Sequence, residues 1–495
     1  REVLDELGNT VLYGHPDAQA ILTKIQVEND RLLILRNTVE GERPAGFVSY
    51  REIGNEDLFG VLKDMELANL VRGKSSREIL LITGIYARED GTGDSGVIRD
   101  APQQLLVEVL AKELEKNYSF ALFVAERGTA TKEVVYVLER QGFIRPHMAD
   151  ENDKRTIYMV DMHEPLMFLH NLDTTIKEPF ASNPAVLDAV EKNHKKLQIA
   201  MTKLYPGNLV LSLSSGIMYH RLVDRITALN DVPREPLVPR RLGKNMCVPF
   251  GKILRGKVVP NTVTKTLHTD KVYEPDLNSF TIEPFPYYSP LKSQIETIKS
   301  FDRPVILVDD LVHTANRLQV LVPQLREDGI PIKKVVVGVL SGYGRDLMQC
   351  LKVPVESIYS MPNLRQWFVE STLYPFIGGD TVRREEMKVA GLQPSINMIL
   401  PYATPRLSGC SREALVEFSA CCIENSRDLF QVLEAEYRKM YAKNLTLSRL
   451  SEAVILPLCP DKGSCMEYDE NLAASVYLEN DLETLWRMKE FLIKG

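Results

Sequence analysis

A chain of 495 residues, 44% apolar and 26% charged, has the material for more than one hydrophobic core, and its size points to about three domains. The formal net charge of −7 excludes a general polyanion-binding role, and seven thinly spread cysteines exclude a disulfide scaffold. No apolar run reaches the roughly 20 residues of a membrane span, so the expected setting is the cytoplasm, with neither nucleic acid nor membrane as partner. Cys459 and Cys465 flank a Pro-Asp-Lys-Gly-Ser turn but lack the further ligands that a structural zinc requires. The sequence opens on Arg1, which leaves an upstream segment open.

In chain order, RLLILRN (31–37) and AGFVSYREI (45–53) read as strands across a polar turn, and EILLITGIYA (78–87) as a third. A Gly/Asp-rich loop (88–99) follows, then a helix with Asp100 at its N-cap and Pro102 in its first turn. SFALFVAE (119–126) is the next strand, 129–142 a helix ended by Gly142, and RTIYMVDM (155–162) a closing strand. A proline-containing linker, 166–184, separates this first domain, 1–165, from a second, 185–362. The second domain opens with a long helix and the strand NLVLSLSSG (208–216), then a further helix. A Gly/Lys/Thr/His-rich excursion follows at 251–273, and then VILVDDLVHTANRL (305–318), a helix and the strand KKVVVGVLSG. Strands alternating with helices make this a mainly parallel α/β sheet. Residues 363–495 form a largely helical extension, strongest at 411–443 and 478–493.

The stretch 305–318 carries chemistry. Ligands of parallel sheets bind beyond the carboxyl ends of the strands, where Asp309 and Asp310 stand. Side chains alternate along a strand, so one carboxylate can face a ribose or a metal while the other braces the loop. The following VHTAN enters a helix whose free N–H groups favour a phosphate. Acids for hydroxyls beside a helix N-terminus describe a receptor for a phosphorylated sugar.

This stretch resembles the phosphoribosyl pyrophosphate (PRPP) motif of type I phosphoribosyltransferases. The resemblance implies that Asp309 and Asp310 hold the ribose hydroxyls and a magnesium ion, that His313 is a candidate base, and that Thr314, Ala315, Asn316 and Arg317 wrap the 5′-phosphate. Family loops usually have glycines where Ala315 and Asn316 stand and a threonine at Arg317, whose charge can substitute. Ser214, Ser215 and Gly216 fall on the family's pyrophosphate loop, and 251–273 on its mobile flap, with Lys257, Lys265, His268 and Lys271 placed to neutralise diphosphate. The acceptor pocket is expected in 363–384, where Trp367, Tyr374 and Phe376 precede a Gly-Gly-Asp turn, so that an aromatic can stack on a planar ring.

The first domain resembles GNAT-type N-acetyltransferases, most closely in FALFVAERGTATKEVVYVLERQGF (120–143). The resemblance places Tyr136 as the acid for a departing coenzyme A thiolate and implies acetyl-CoA as cofactor. Arg88, Gly91, Gly93, Gly96 and Arg99 stand at wider spacing than the family's cofactor loop, among Asp90, Asp94 and Asp100. The expected whole is a multidomain α/β protein: a GNAT-like mixed α/β domain, a phosphoribosyltransferase-like parallel sheet and a helical extension. Three functions compete: transfer of a phosphoribosyl group to an unknown small acceptor, PRPP or nucleotide sensing without turnover, and acetyl-CoA-dependent acetylation. A homo-oligomer is compatible with each.

Overall fold

The computed structural model describes all residues except 1, 38–41, 89–99, 127–130, 147–154, 240, 287, 385–388, 390, 406, 463–467 and 495. The chain divides into two compact units. Unit 1 is Arg1–Met167, Tyr205–Ser212 and Met361–Gln366; unit 2 is Phe168–Leu204, Leu213–Ser360 and Trp367–Gly495.

Unit 1 begins with helices α1 (Glu2–Asn9) and α2 (Ala18–Val27). It continues through β1 (Arg31–Asn37), β2 (Arg43–Ile53), α3 (Leu58–Leu62), α4 (Met65–Lys74), β3 (Ile79–Ala87), α5 (Ala101–Glu113), β4 (Phe120–Glu126), α6 (Lys132–Arg140) and β5 (Arg155–His170). The strands stand in the order β1-β2-β3-β4-β5. All neighbours are antiparallel except β3 and β4, which are parallel. The short helices α3 and α4 fill the interval between β2 and β3, burying Leu58, Leu62, Leu67 and Val71 against Ile79, Leu81, Phe120 and Leu122. Gly142, past the end of α6, has φ +90°, and a Cβ there would lie 2.1 Å from the Asn208 carbonyl oxygen. Glycine is therefore required both by backbone conformation and by close approach.

Unit 2 carries α7 (Pro184–Leu204) and α8 (Ser215–Leu229); β6 (Asn208–Ser214), between them in the chain, falls mostly in unit 1. The strand NLVLSLSSG was expected to open the parallel sheet, but β6 pairs instead with β5. Leu209 to Leu213 are buried on both faces, and such a continuous apolar run suits any sheet covered on both sides, so its partner is not encoded in its period.

Next come β7 (Met246–Pro249), β8 (Val263–Thr264), β9 (Thr269–Tyr273), β10 (Phe280–Pro284), α9 (Leu291–Lys299), β11 (Val305–Val312), α10 (Asn316–Glu327), β12 (Ile332–Ser341), α11 (Gly342–Cys350) and β13 (Val355–Met361). The order β13-β12-β11-β7-β8 forms the expected sheet, with β12, β11, β7 and β8 parallel. Its centre, Val305 to Val308, is fully buried beneath helices that contribute Ile295, Leu318, Leu321 and Met348. The chain ends with β14 (Gln366–Val369), α12 (Glu370–Leu373), β15 (Asp380–Val382), β16 (Gln393–Ile396), α13 (Arg412–Tyr441), β17 (Leu458–Pro460) and α14 (Ala474–Lys494). A second sheet of this unit has the order β10-β9-β15-β16-β17. The segment 251–273 is thus not a free flap: β8 and β9 tie it into both sheets, because Val263, Thr269 and Val272 have ladder partners. No described helix is long and apolar enough to cross a membrane.

Candidate functional site

The acidic pair sits within β11, which continues to Val312, and not at its end. Asp310 braces a loop: the Lys252 N–H donates to its Oδ2 (2.6 Å) and the Ile253 N–H to its Oδ1 (3.0 Å). Asp309 accepts from the Asp310 N–H (2.9 Å) and lies 3.9 Å from the Arg317 guanidinium. Both carboxylates converge on Gly251, where a Cβ would come 2.5 Å from one and 2.7 Å from the other. Two facing carboxyls out of water cannot both ionise cheaply. Burial and the Asp310 charge push Asp309 up to about 7, although Arg317 opposes the rise.

Cations gather beside the acids. Burial pulls Lys252 down to about 8, with Arg255 and Arg317 adding like charge, and burial likewise depresses Arg255. Asp380, from the Gly-Gly-Asp turn at the start of β15, is pushed up by burial while Lys271 and Lys252 oppose it. Asp270 accepts from the Thr381 hydroxyl (2.5 Å) and interacts with Lys252, Arg255 and Asp380. Four carboxyls and the cations Lys252, Arg255, Lys271 and Arg317 thus share one region, in which Asp309 and Asp380 are shifted up and Lys252 and Arg255 down, a pattern that concentrates at functional sites. Lys252, Arg255 and Asp270 were not among the sequence candidates, and Asp380 entered only through the Gly-Gly-Asp turn expected beside the acceptor ring. The strand and turn that supply Asp270 and Asp380 meet only through the β9–β15 pairing.

At the start of α10, Ala315 occupies the N-cap at φ 51° with no side-chain cap. A left-handed alanine costs about 1 kcal/mol, where the resembled loop would have glycine. Ala315 offers the first turn of α10 no side-chain acceptor, while Thr314 Oγ1 accepts from Asn316 Nδ2 (2.9 Å) and Arg317 reaches the Phe250 carbonyl (3.4 Å). This terminus can take an anion.

The remaining candidates are dispersed. His313 Nδ1 is 2.8 Å from Ser341 Oγ, and its ring lies 5.0 Å from Trp367 and 5.6 Å from Tyr343; burial lowers its basicity. Trp367 therefore stands beside His313, whereas Tyr374 and Phe376 are fully buried and face no ring-binding space. His268 stacks on Tyr288 (3.8 Å), and burial next to Arg255 and Lys265 holds it neutral, down at about 4, so it adds no charge for diphosphate. Lys265 is exposed, and Lys257 covers the Tyr219 ring. Ser214 caps α8, Ser215 donates to Asp173 (3.3 Å), and a Cβ on Gly216 would meet nothing closer than 3.6 Å, so no close backbone approach requires glycine there.

The acidic pair does not fit the implied magnesium. Asp310 already accepts two backbone N–H groups, and Asp309, pushed up to about 7, is only partly ionised at neutral pH. A hard divalent cation needs ionised, available oxygens.

In unit 1, the β3–β4 register ends at Ile82 and Phe123, while β3 runs on to Ala87 and β4 to Glu126. Two parallel strands thus diverge. A cavity of about 1260 Å³ opens near the end of β3, lined by Tyr86, Arg88, Arg43, His15 and the start of α5. Asp100 holds the N-cap of α5 at φ 58° without capping it, because its carboxylate pairs with buried Arg140 (2.6 Å). Tyr136 is 40% exposed and lies against Arg140, outside the lining of that cavity. Gly91, Gly93, Gly96, Arg99, Asp90 and Asp94 lie outside the described residues, as does Cys465.

No protein-family model and no curated protein matches this sequence. Among solved structures, the chain is similar to the NatC complex bound to Gag peptide and CoA, at 9% identity and TM-score 0.22, covering 32% of this chain and 89% of that one. An N-acetyltransferase from Staphylococcus aureus Mu50 matches at 11% identity and TM-score 0.19, over 30% of this chain and 76% of that one. A purine phosphoribosyltransferase from Pyrococcus horikoshii Ot3 matches at 14% identity and TM-score 0.21, over 31% and 87%. The chain is a mixed α/β protein of several sheets, some parallel, with a helical C-terminal region, and its structural neighbours include acetyltransferases and a phosphoribosyltransferase.

Proposed function

We propose that unit 2 binds a ribosyl phosphate of the PRPP class. The observation that carries this reading is the uncapped N-terminus of α10, with Arg317 in its first turn and Asp309 and Asp310 on the preceding strand. The helix terminus and Arg317 receive phosphate, Asp309 accepts from a ribose hydroxyl, and Lys252 and Arg255 supply further positive charge. Transfer would add one demand, stabilisation of diphosphate as it leaves C1, which the same cations serve. His313 beside Trp367 offers an acceptor ring a stacking partner and a weakly basic imidazole.

Titrating PRPP into the full chain, with diphosphate release followed in parallel, tests the proposal. Release with an acceptor present supports a transferase, and binding without release supports a sensor. Absence of both removes the proposal.

A second reading concerns unit 1. The diverging β3 and β4 and the cavity at the uncapped start of α5 favour an acyl-coenzyme A, whose pantetheine amides would bond the freed strand edge while its phosphates meet Arg43, Arg88 and the helix terminus. Saturable acetyl-CoA binding, weakened when Arg88 is replaced by Met, tests it.

A further inference from the structure

We propose that unit 2 holds a divalent transition-metal ion, with zinc as the type case, between His170, His194 and Glu370. His170 closes β5, His194 lies within α7 and Glu370 opens α12. Among the described residues, this is the one group of three such side chains whose ligand atoms all lie within 4.8 Å of one another. His194 Nε2 is 2.7 Å from Glu370 Oε2, and His170 Nδ1 is 3.8 Å from the same oxygen. A tetrahedral zinc bound at about 2.1 Å separates its ligand atoms by roughly 3.4 Å, between those two values.

Glu370 is wholly buried, and a carboxylate so placed requires positive charge close by. His194 Nε2 and Glu370 Oε2 approach to 2.7 Å as an ion pair whose alignment falls short of a good hydrogen bond. Buried polar atoms in that condition call for an ion or a water in the shared space.

The surroundings orient the ligands as metal sites require. Gln198, one turn along α7 from His194, lies 2.8 Å from His170 Nε2. It is the carboxamide nitrogen that faces the ring in the structure; with the carboxamide reversed, its oxygen would accept the Nε2 proton and fix the tautomer that coordinates through Nδ1. The Tyr374 hydroxyl donates to Glu370 Oε1 (3.3 Å) and itself accepts from Asn425 Nδ2 (2.9 Å). Two imidazoles and one carboxylate suit zinc and leave a fourth position for water or a substrate atom.

The competing account is a metal-free ion pair between a His194 imidazolium and Glu370. Zn2+ and Co2+ titrated into the chelator-stripped full chain separate the two. The proposal expects one equivalent per chain, a Co2+ visible spectrum of nitrogen and oxygen ligation, and at least 100-fold weaker binding in His194→Gln and Glu370→Gln. No stoichiometric uptake by the unaltered chain would overturn it. A sulfur-to-cobalt charge-transfer band would also do so, because it would put the ion on a cysteine, and that readout does not depend on the variants folding.

Discussion

Replacing Asp309 by Asn tests the electrostatics of the proposed receptor, because the structure requires opposite effects on stability and on binding. Burial moves this carboxyl from 3.8 to about 7, and its side chain is only 13% exposed. At 1.36 kcal/mol per pH unit, the ionised form costs a ceiling on the order of 4 kcal/mol at pH 8 and under half of that at pH 5. The sign follows from proton binding. Well below pH 3.8 the group is protonated in folded and unfolded chains alike and costs nothing. Between there and pH 7 the folded chain holds its proton while the unfolded chain loses it, so this group's contribution to stability falls as pH rises. Asn keeps the acceptor for the Asp310 N–H and carries no charge. Sharing of the load with Asp310 and Arg317 reduces the expected gain to about 1–3 kcal/mol at pH 8, or several degrees in Tm. Both tryptophans, Trp367 and Trp486, lie in unit 2, so tryptophan fluorescence during thermal unfolding reports on this unit. Asp309→Asn should melt higher than the unaltered chain at pH 8, by a margin that shrinks at pH 5, and should bind PRPP more weakly. A variant that melts at the same temperature or lower at pH 8 would refute the reasoning.

Three further outcomes are expected. Lys252 is pulled down to about 8, and a bound phosphate should raise it again, so PRPP binding at pH 8.5 should take up a proton. Calorimetry in buffers of different ionisation enthalpy reads this uptake, and identical enthalpies at pH 8.5 would contradict it. Gly142→Ala should cost more than about 2 kcal/mol or abolish folding of unit 1, since its Cβ would clash with the Asn208 carbonyl, whereas Gly216→Ala, helical and uncrowded, should be stable or gain up to about 1 kcal/mol and leave PRPP affinity unchanged; circular dichroism melts and titration check both. Tyr136→Phe should leave acetyl-CoA affinity unchanged, because Tyr136 does not line the unit 1 cavity; a tenfold loss of affinity would place the cofactor elsewhere.

What the sequence disclosed followed from local rules. Apolar runs bounded by turn residues located β1 to β5 and β11, and Gly142 marked the end of α6 through a conformation that only glycine adopts comfortably. Asp309, Asp310, Ala315 and Arg317 were legible because one strand and one helix start carry them. Lys252, Arg255 and Asp270, and the place of Asp380 beside them, were not, because pairing of distant strands brings their charges together and an isolated lysine or aspartate reads as a solvated face. The partner of β6 was hidden for the same reason, and so was the His170, His194 and Glu370 trio, whose members come from three elements far apart in the chain. His268 looked like a cation until its stacking on Tyr288 and the neighbouring charges were in view.

The most direct test of the ribosyl phosphate receptor is calorimetric titration of PRPP into the full chain and into Arg317→Met, with and without magnesium. The variant removes a charge from the first turn of α10 while giving up only a 3.4 Å contact to the Phe250 carbonyl and a 3.9 Å approach to Asp309. The account predicts one equivalent bound by the unaltered chain, retained without magnesium and weakened about 10- to 100-fold in the variant, the worth of a charge-assisted phosphate contact. Equal affinity in both proteins, or no binding by the unaltered chain under either condition, would contradict it.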